Sequence, residues 1–338
     1  MSFSEKIKLT WAKYENWAYV AFYAVLIILS LIFTNVYFYS VAINCLIFTV
    51  LSFSLNLMTG YMGVTSLGHA AFFGIGAYAT AILQTRFGVN QWVALLTSIL
   101  VTSLAGVLLS LTTMRVSTRF VAIVTLGFAE IVRMIELNWM DLTRGPQGIP
   151  NIPSFSFLGT PIKDMRVEFY IIMGISVIIL TLYSLLIHSN HGRAIQAIKN
   201  DEIAASSMGI NPLRYRILVF AISAGTAGIA GSFYAKYMGF IDPNAFNFDQ
   251  SISILSMTIF GGLGNLMGSI IGAFSLSILP EALRFLSDYR QVIYGALLVI
   301  MMIFRPNGLL GGINFKQIRL LDQQKMEELK KNGKHSKN

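Results

Sequence analysis

Trp92-Val93-Ala94-Leu95-Leu96-Thr97-Ser98-Ile99-Leu100-Val101-Thr102-Ser103-Leu104-Ala105-Gly106-Val107-Leu108-Leu109-Ser110-Leu111 carries no charged residue along its whole length. A helix needs about 20 such residues to cross a hydrocarbon core roughly 30 Å thick. Stretches of the same kind recur from Trp17 to Arg305. The 338-residue chain is 55% apolar and 12% charged, with a mean hydropathy of +0.64, against roughly 25% charged in a soluble domain. The fold class is therefore an all-α integral membrane protein, a polytopic helical bundle.

Apolar segments fall near 17–34, 37–58, 62–83, 91–113, 119–139, 169–187, 216–237, 248–262, 266–284 and 290–305, which gives about ten spans, with a range of 8–10. The net charge of +9 sits between these segments and at the two ends, where cytoplasmic parts of membrane proteins collect Lys and Arg. That placement argues against nucleic acid. Lys6, Lys8 and Lys13 precede the first span, and Lys316, Arg319, Lys325, Lys330 and Lys331 follow the last. Both termini are expected in the cytoplasm, which requires an even number of crossings, so 248–284 must cross twice. Residues 1–16 then form a cytoplasmic N-terminus, 17–312 the transmembrane domain, 140–168 an extracytoplasmic loop, 188–216 a cytoplasmic loop and 313–338 a basic tail. The first span follows a basic stretch but lacks a small-residue cleavage site, and it reads as a retained anchor.

The single cysteine, Cys45, excludes an internal disulfide and a cysteine metal cluster. The four histidines are His69, His188, His191 and His335, without a His-Glu-x-x-His motif. Ser66 and His69 are three apart on a possible helix, but no third orienting group accompanies them. No Gly-x-x-x-x-Gly-Lys-[Ser/Thr] phosphate loop occurs. No catalytic or metal residue is assigned.

Several segments are not plain leucine-rich spans. Asn56-Leu57-Met58-Thr59-Gly60-Tyr61-Met62-Gly63-Val64-Thr65-Ser66-Leu67-Gly68-His69 reads as a broken helix, tolerated at membrane depth only beside protein or a water-filled path. The plainer reading is close helix packing at Gly68, Gly74 and Gly76. The run Gly261-Gly262-Leu263-Gly264-Asn265 has the same character in the other half of the chain, and paired interrupted segments point to a transporter's path. Asn56, Gly60, Ser66, His69, Gly261, Gly262, Gly264 and Asn265 are the candidate pathway residues. Glu130, Arg133 and Glu136 lie three apart, so neighbours share a helix face. Intramembrane charges suggest a functional site facing the bundle interior, the alternative being Arg133 and Glu136 reaching for the outer surface.

In the cytoplasmic loop, Asn200 can cap a helix whose first turn carries Asp201 and Glu202, and Gly209 with Pro212 ends it. Two short helices are expected, presenting Ile203, Ala204 and Met208 to a partner groove. The mixed charge weighs against a lipid-surface role.

At these residues the chain resembles the permease subunits of bacterial ABC importers for branched-chain amino acids. Ser66-Leu67-Gly68-His69-Ala70-Ala71-Phe72-Phe73-Gly74-Ile75-Gly76-Ala77-Tyr78 is similar to that family's first signature. Ala129-Glu130-Ile131-Val132-Arg133 followed by Leu142-Thr143-Arg144-Gly145-Pro146-Gln147-Gly148-Ile149 is similar to its second, and more specifically to the second permease of the pair. Asp201–Asn211 resembles the helix that docks on the ATPase, and Gly261–Gly268 a further family motif. The chain departs from the family pattern at Arg144 (glycine), Asn265 (serine or threonine) and Ser269 (proline).

The resemblance implies a permease in a bacterial inner membrane, paired with a homologous permease, two ATPase subunits and an extracytoplasmic binding protein. ATP and Mg would be used by the ATPase partners, with no cofactor bound by this chain. Asp201, Glu202, Ile203, Ala204, Ala205, Met208 and Gly209 would form the coupling loop. Import of urea or short amides is the alternative within the same fold, and an ion-coupled secondary transporter the alternative outside it. The cytoplasmic knob separates the last two classes, because an ion-coupled carrier has no need of one.

Overall fold

Backbone N–H and C=O groups in hydrocarbon must bond within the chain, and the apolar segments accordingly form helices. The computed structural model describes residues 15–117, 120–157, 160–161, 164–282, 295–296, 299, 303 and 308–310. The expected tail 313–338, residues 1–14 of the N-terminus, most of the segment 290–305, and Arg119 and Lys163 lie outside these.

Helix α1 (Glu15–Ile32) belongs to one unit, and Val36–Gly311 forms a second. The second contains α2 (Val36–Asn56), α3 (His69–Phe87), α4 (Gln91–Thr113), α5 (Val121–Asn138), α6 (Met165–His188), α7 (Asn190–Asn200), α8 (Glu202–Ser207), α9 (Pro212–Met238), α10 (Phe248–Gly261) and α11 (Leu266–Ala282). Each apolar segment read from the sequence up to 266–284 coincides with one of these helices, though 62–83 becomes helical only from His69. Among the described residues, Val36–Tyr61, Gln91–Thr113, Met165–His188 and Pro212–Met238 are long and apolar enough to cross a membrane, and Trp17–Ile32 and Leu266–Ala282 are shorter apolar helices.

Helix α9 is the axis of the second unit and packs on α4, α3 and α2. Its glycines permit this. A Cβ on Gly76 of α3 would collide with the backbone of Gly228 on α9, and Ser98 Oγ of α4 lies 3.1 Å from the carbonyls of both glycines. Small residues and interhelical hydrogen bonds are what hold membrane helices together, since lipid tails are as apolar as leucine. The packing reading of Gly76 is correct on this geometry. Phe53, Phe72, Phe73, Phe169 and Phe220 are fully buried in the same unit.

The bundle has two distinct ends. At one, residues 140–161 carry β1 (Ile149–Pro150), β2 (Ser156–Phe157) and β3 (Thr160–Pro161), and β1 pairs antiparallel with β4 (Phe240–Ile241) just beyond α9. Ile152 N donates to Gly239 O at 3.0 Å, and Ser156 N to Gln91 Oε1 at 3.0 Å, which pins this loop across the ends of α9 and α4. At the other end lie the C-terminus of α2, the short helices α7 and α8, and the turn between α10 and α11.

Candidate translocation and coupling site

Asn56 is the last residue of α2, and beyond it the chain does not stop as an ordinary helix. Leu57–Tyr61 widens into a π turn, residues 62–68 are non-helical, and α3 restarts at His69. Single π turns of this kind are frequent at functional sites. The break expected from the sequence is therefore present. Ser66 sits in the non-helical linker and not on a helix with His69, which corrects that part of the reading.

The two glycine-rich breaks meet. Gly264 N donates to Asn56 Oδ1 at 2.8 Å, and Asn56 Nδ2 donates to Asn265 O at 2.9 Å and to Ser269 Oγ at 2.7 Å. Asn265 in turn accepts from Gly268 N at 3.1 Å through Oδ1 and donates to Leu310 O at 3.2 Å. Gly60 has to be glycine here, because a Cβ would run into Asn56 Oδ1 and the Gly264 nitrogen. Gly262 and Gly264 adopt φ of 121° and 78°, a region costly to residues bearing a Cβ. Asn56, Gly60, Gly261, Gly262, Gly264 and Asn265 thus form one constellation. Ser269 joins it as a hydrogen-bond acceptor, a role that the proline of the family pattern could not fill.

His69 is held by other groups. Its Nε2 lies 2.8 Å from Ser54 Oγ on α2, while Ser54 and Ser223 of α9 each donate to the other's carbonyl at 2.6 Å. The ring is fully buried and its Nδ1 has no hydrogen-bond partner among the described residues. Ser66 is likewise buried, and its Oγ accepts from Gly68 N at 3.4 Å. The linker and the first turn of α3 are anchored on their neighbours: Leu67 N of the linker donates to Thr125 Oγ1 of α5 and Ala70 N of α3 to Ser251 Oγ of α10, both at 3.0 Å.

Of the three charges on α5, Glu130 and Arg133 pair, with Nε to Oε2 at 3.2 Å. Glu136 turns the other way. It is buried against Gly74, and neither of its carboxylate oxygens has a hydrogen-bond partner among the described residues. The outward-reaching alternative for Glu136 is thereby corrected.

The 188–216 loop folds as two short helices, as the sequence suggests, but with a shifted cap. Asp201, and not Asn200, caps α8, accepting from Ile203 N and Ala204 N at 2.9 Å each. Gly209 at φ 82° ends it, and Pro212 opens α9 behind the Asn211 cap instead of closing α8. Ile203 and Met208 are 81% and 83% exposed, Ala204 is exposed as well, and Ala205 is buried beneath them. Glu202 Oε2 lies 3.4 Å from Arg216 Nη2, which ties α8 to the start of α9.

Sequence reasoning missed Lys199. Its side chain lies against Gly63 and its Nζ donates to Gly60 O at 2.5 Å, joining α7 to the π turn. Partial burial pushes this ammonium below its ordinary value. A lysine in the last turn of a helix is an ordinary partner of the helix dipole, so nothing in the sequence set it apart.

Apolar helices broken at two glycine turns that meet beside an exposed helical knob are those of an all-α membrane protein. The chain belongs to the family described as branched-chain amino acid transport system / permease component, which matches residues 37–302. It is 34% identical over 293 residues to the high-affinity branched-chain amino acid transport system permease protein LivM of Salmonella typhimurium, covering 80% of this chain and 69% of the relative. To LivH of the same organism it is 25% identical over 288 residues, 78% of this chain and 91% of the relative. A probable LivM of Methanocaldococcus jannaschii is 22% identical over 312 residues, 78% of this chain and 90% of the relative. No solved structure matches the chain.

Proposed function

We propose that this chain is the LivM-type transmembrane subunit of an ATP-driven importer of leucine, isoleucine and valine in a bacterial inner membrane. Its partners are a homologous second permease, two ABC ATPases that use ATP and Mg, and an extracytoplasmic binding protein that delivers the amino acid to residues 140–168. Ten spans and two cytoplasmic termini go with this reading. It is supported by the two-ended bundle, in which α7, α8, the π turn and the α10–α11 turn share the end opposite the 140–168 loop.

The observation that carries the proposal is the Lys199–Gly60 hydrogen bond. Helix α8 offers Ile203 and Met208 to an ATPase groove, its Asp201 cap and the Glu202–Arg216 pair hold it as a stiff piece, and Lys199 hands any displacement to the broken end of α2. From there Asn56 passes it to the Gly264 turn and α11. Closure of the ATPases on ATP would then move both breaks together and alternate access to the path.

The test replaces residues 201–209 with a flexible Gly/Ser linker in the full transporter reconstituted in liposomes. ATP-driven leucine uptake is expected to vanish while the permease pair remains assembled. Uptake that persists would defeat ABC coupling and favour an ion-driven carrier.

A further inference from the structure

Glu136 is 4% exposed, and among the described residues neither of its carboxylate oxygens has a hydrogen-bond partner. Arg133, three residues back on α5, is engaged with Glu130 at 3.2 Å. A carboxylate taken out of water without a partner is among the most expensive groups a fold can hold. An acid kept at that cost among membrane helices marks a functional site.

Its surroundings suit a particular ligand. A Cβ on Gly74 of α3 would stand 2.7 Å from Glu136 Oε1 and 3.1 Å from the Phe246 ring, so the glycine leaves the carboxylate and the ring room side by side. Phe246 ends the 3₁₀ turn Pro243–Phe246, and its ring centroid lies 5.1 Å from that of Phe73, 5.9 Å from Tyr78 and 6.1 Å from Tyr234. Tyr78 is a second unanswered group. It is 4% exposed, its hydroxyl has no hydrogen-bond partner among the described residues, and it lies within electrostatic reach of Glu136 and Asp242.

A carboxylate, a phenol oxygen and aromatic faces together attract a cation, through charge, hydrogen bonding and the ring quadrupoles. Mg and Ca ions demand about six or more oxygen ligands, and no group of three His, Cys, Asp or Glu able to hold a metal occurs among the described residues. An organic ammonium fits the set better, since its N–H donors meet the oxygens while the rings take its apolar substituent. The cluster also stands at the 140–161 end of the bundle. Thr143 Oγ1 donates to Glu136 O at 2.7 Å, and β4, which leads into the Phe246 turn, pairs with β1.

We propose that Glu136, with the Tyr78 hydroxyl, binds the α-ammonium group of the amino acid on its way through the permease, with Phe246, Phe73 and Tyr234 against the apolar side chain. This deepens the leucine-importer reading above and rests on it. A carboxylate that is unpaired in the empty permease and paired in the loaded one favours the loaded state. An importer needs that difference if its motion is to carry cargo.

The test compares wild type with Glu136→Gln and Glu136→Asp in the full transporter, reconstituted in liposomes with its binding protein. Leucine uptake is expected to fall roughly 10- to 100-fold in Glu136→Gln, the equivalent of one charged hydrogen bond, and to return in part in Glu136→Asp. Unfolding of Glu136→Gln in detergent should come no earlier than that of wild type, because a bare charge has been removed. Uptake from choline medium should equal uptake from sodium medium. Photo-leucine, which keeps the α-ammonium beside a diazirine side chain, should label residues 73–78 or 243–246 in wild type and lose that label in Glu136→Gln. Undiminished uptake or labelling in Glu136→Gln would overturn the site, and earlier unfolding would show that the carboxylate is paired within the chain. Sodium-dependent uptake would give the site to an inorganic cation. A wild-type transporter that carries no leucine would remove the importer reading itself, and the site with it.

Discussion

Asn56 at the end of α2 donates its Nδ2 hydrogen to Ser269 Oγ of α11 at 2.7 Å, across 213 residues of chain. The same amide also binds Gly264 N and Asn265 O. All four groups are shielded from solvent or nearly so, and a hydrogen bond nets about 1 kcal/mol while a buried group left bare loses roughly 1–3 kcal/mol.

Asn56→Ala should therefore destabilise the permease by about 3 kcal/mol, because three bonds are lost and the Gly264 N–H is stranded. Ser269→Ala removes one of them and should lose about 1 kcal/mol. Unfolding in detergent measures both. The double variant should be no worse than Asn56→Ala alone within about 0.5 kcal/mol, since the serine then has nothing left to accept. Full additivity would show that the two residues do not act through this bond.

Lys199→Met keeps the length of the side chain and removes the donor to Gly60. Hydrogen bonds from charged groups contribute about 1.5–3 kcal/mol, so the link between knob and π turn should weaken by roughly 10- to 100-fold. ATP-driven uptake should fall while ATPase assembly on the permease is kept, because Ile203 and Met208 are untouched. Measuring uptake and hydrolysis in the same liposomes decides it. Equal loss of both would place Lys199 in docking instead of transmission.

Which parts of this were legible beforehand follows from physics at particular residues. Apolar length located the helices, since hydrocarbon allows few other structures, and the glycine runs at 60 and 261–264 marked both breaks. Their meeting was not legible, because Asn56 reaches Gly264 only through a fold that local sequence does not encode. The α8 cap fell one residue from its expected place, as Asn200 and Asp201 are both good caps and only the backbone turn chooses between them. Arg144 is the opposite case: the glycine of the family pattern marks a backbone position at φ 61°, which the arginine adopts here.

Arg144→Gly should accordingly stabilise or leave unchanged the 140–168 loop. A Cβ in left-handed backbone costs roughly 1–2 kcal/mol, partly offset by the extra freedom glycine brings to the unfolded chain. A net gain of up to about 1 kcal/mol in detergent unfolding is the expected outcome. A clear loss would mean that the guanidinium makes a contact the backbone strain is retained to keep.

Met208→Glu tests the knob itself. Met208 and Ile203 stand largely in solvent on a short segment whose cap and ion pair are internal, so neither contributes much to the fold, and a soluble surface would not select two large exposed apolar side chains within six residues. Buried anchors at the centre of an interface lose 2 kcal/mol or more when truncated, and a carboxylate forced into an apolar groove loses more. Met208→Glu should thus weaken ATPase binding by at least about 30-fold, the equivalent of 2 kcal/mol, with unfolding of the permease unchanged within about 0.5 kcal/mol. Ser207→Glu, one residue away, should leave binding within a few-fold if the groove reads the apolar pair. Matching losses from both substitutions would show that the partner responds to charge on α8 and that Met208 is no anchor.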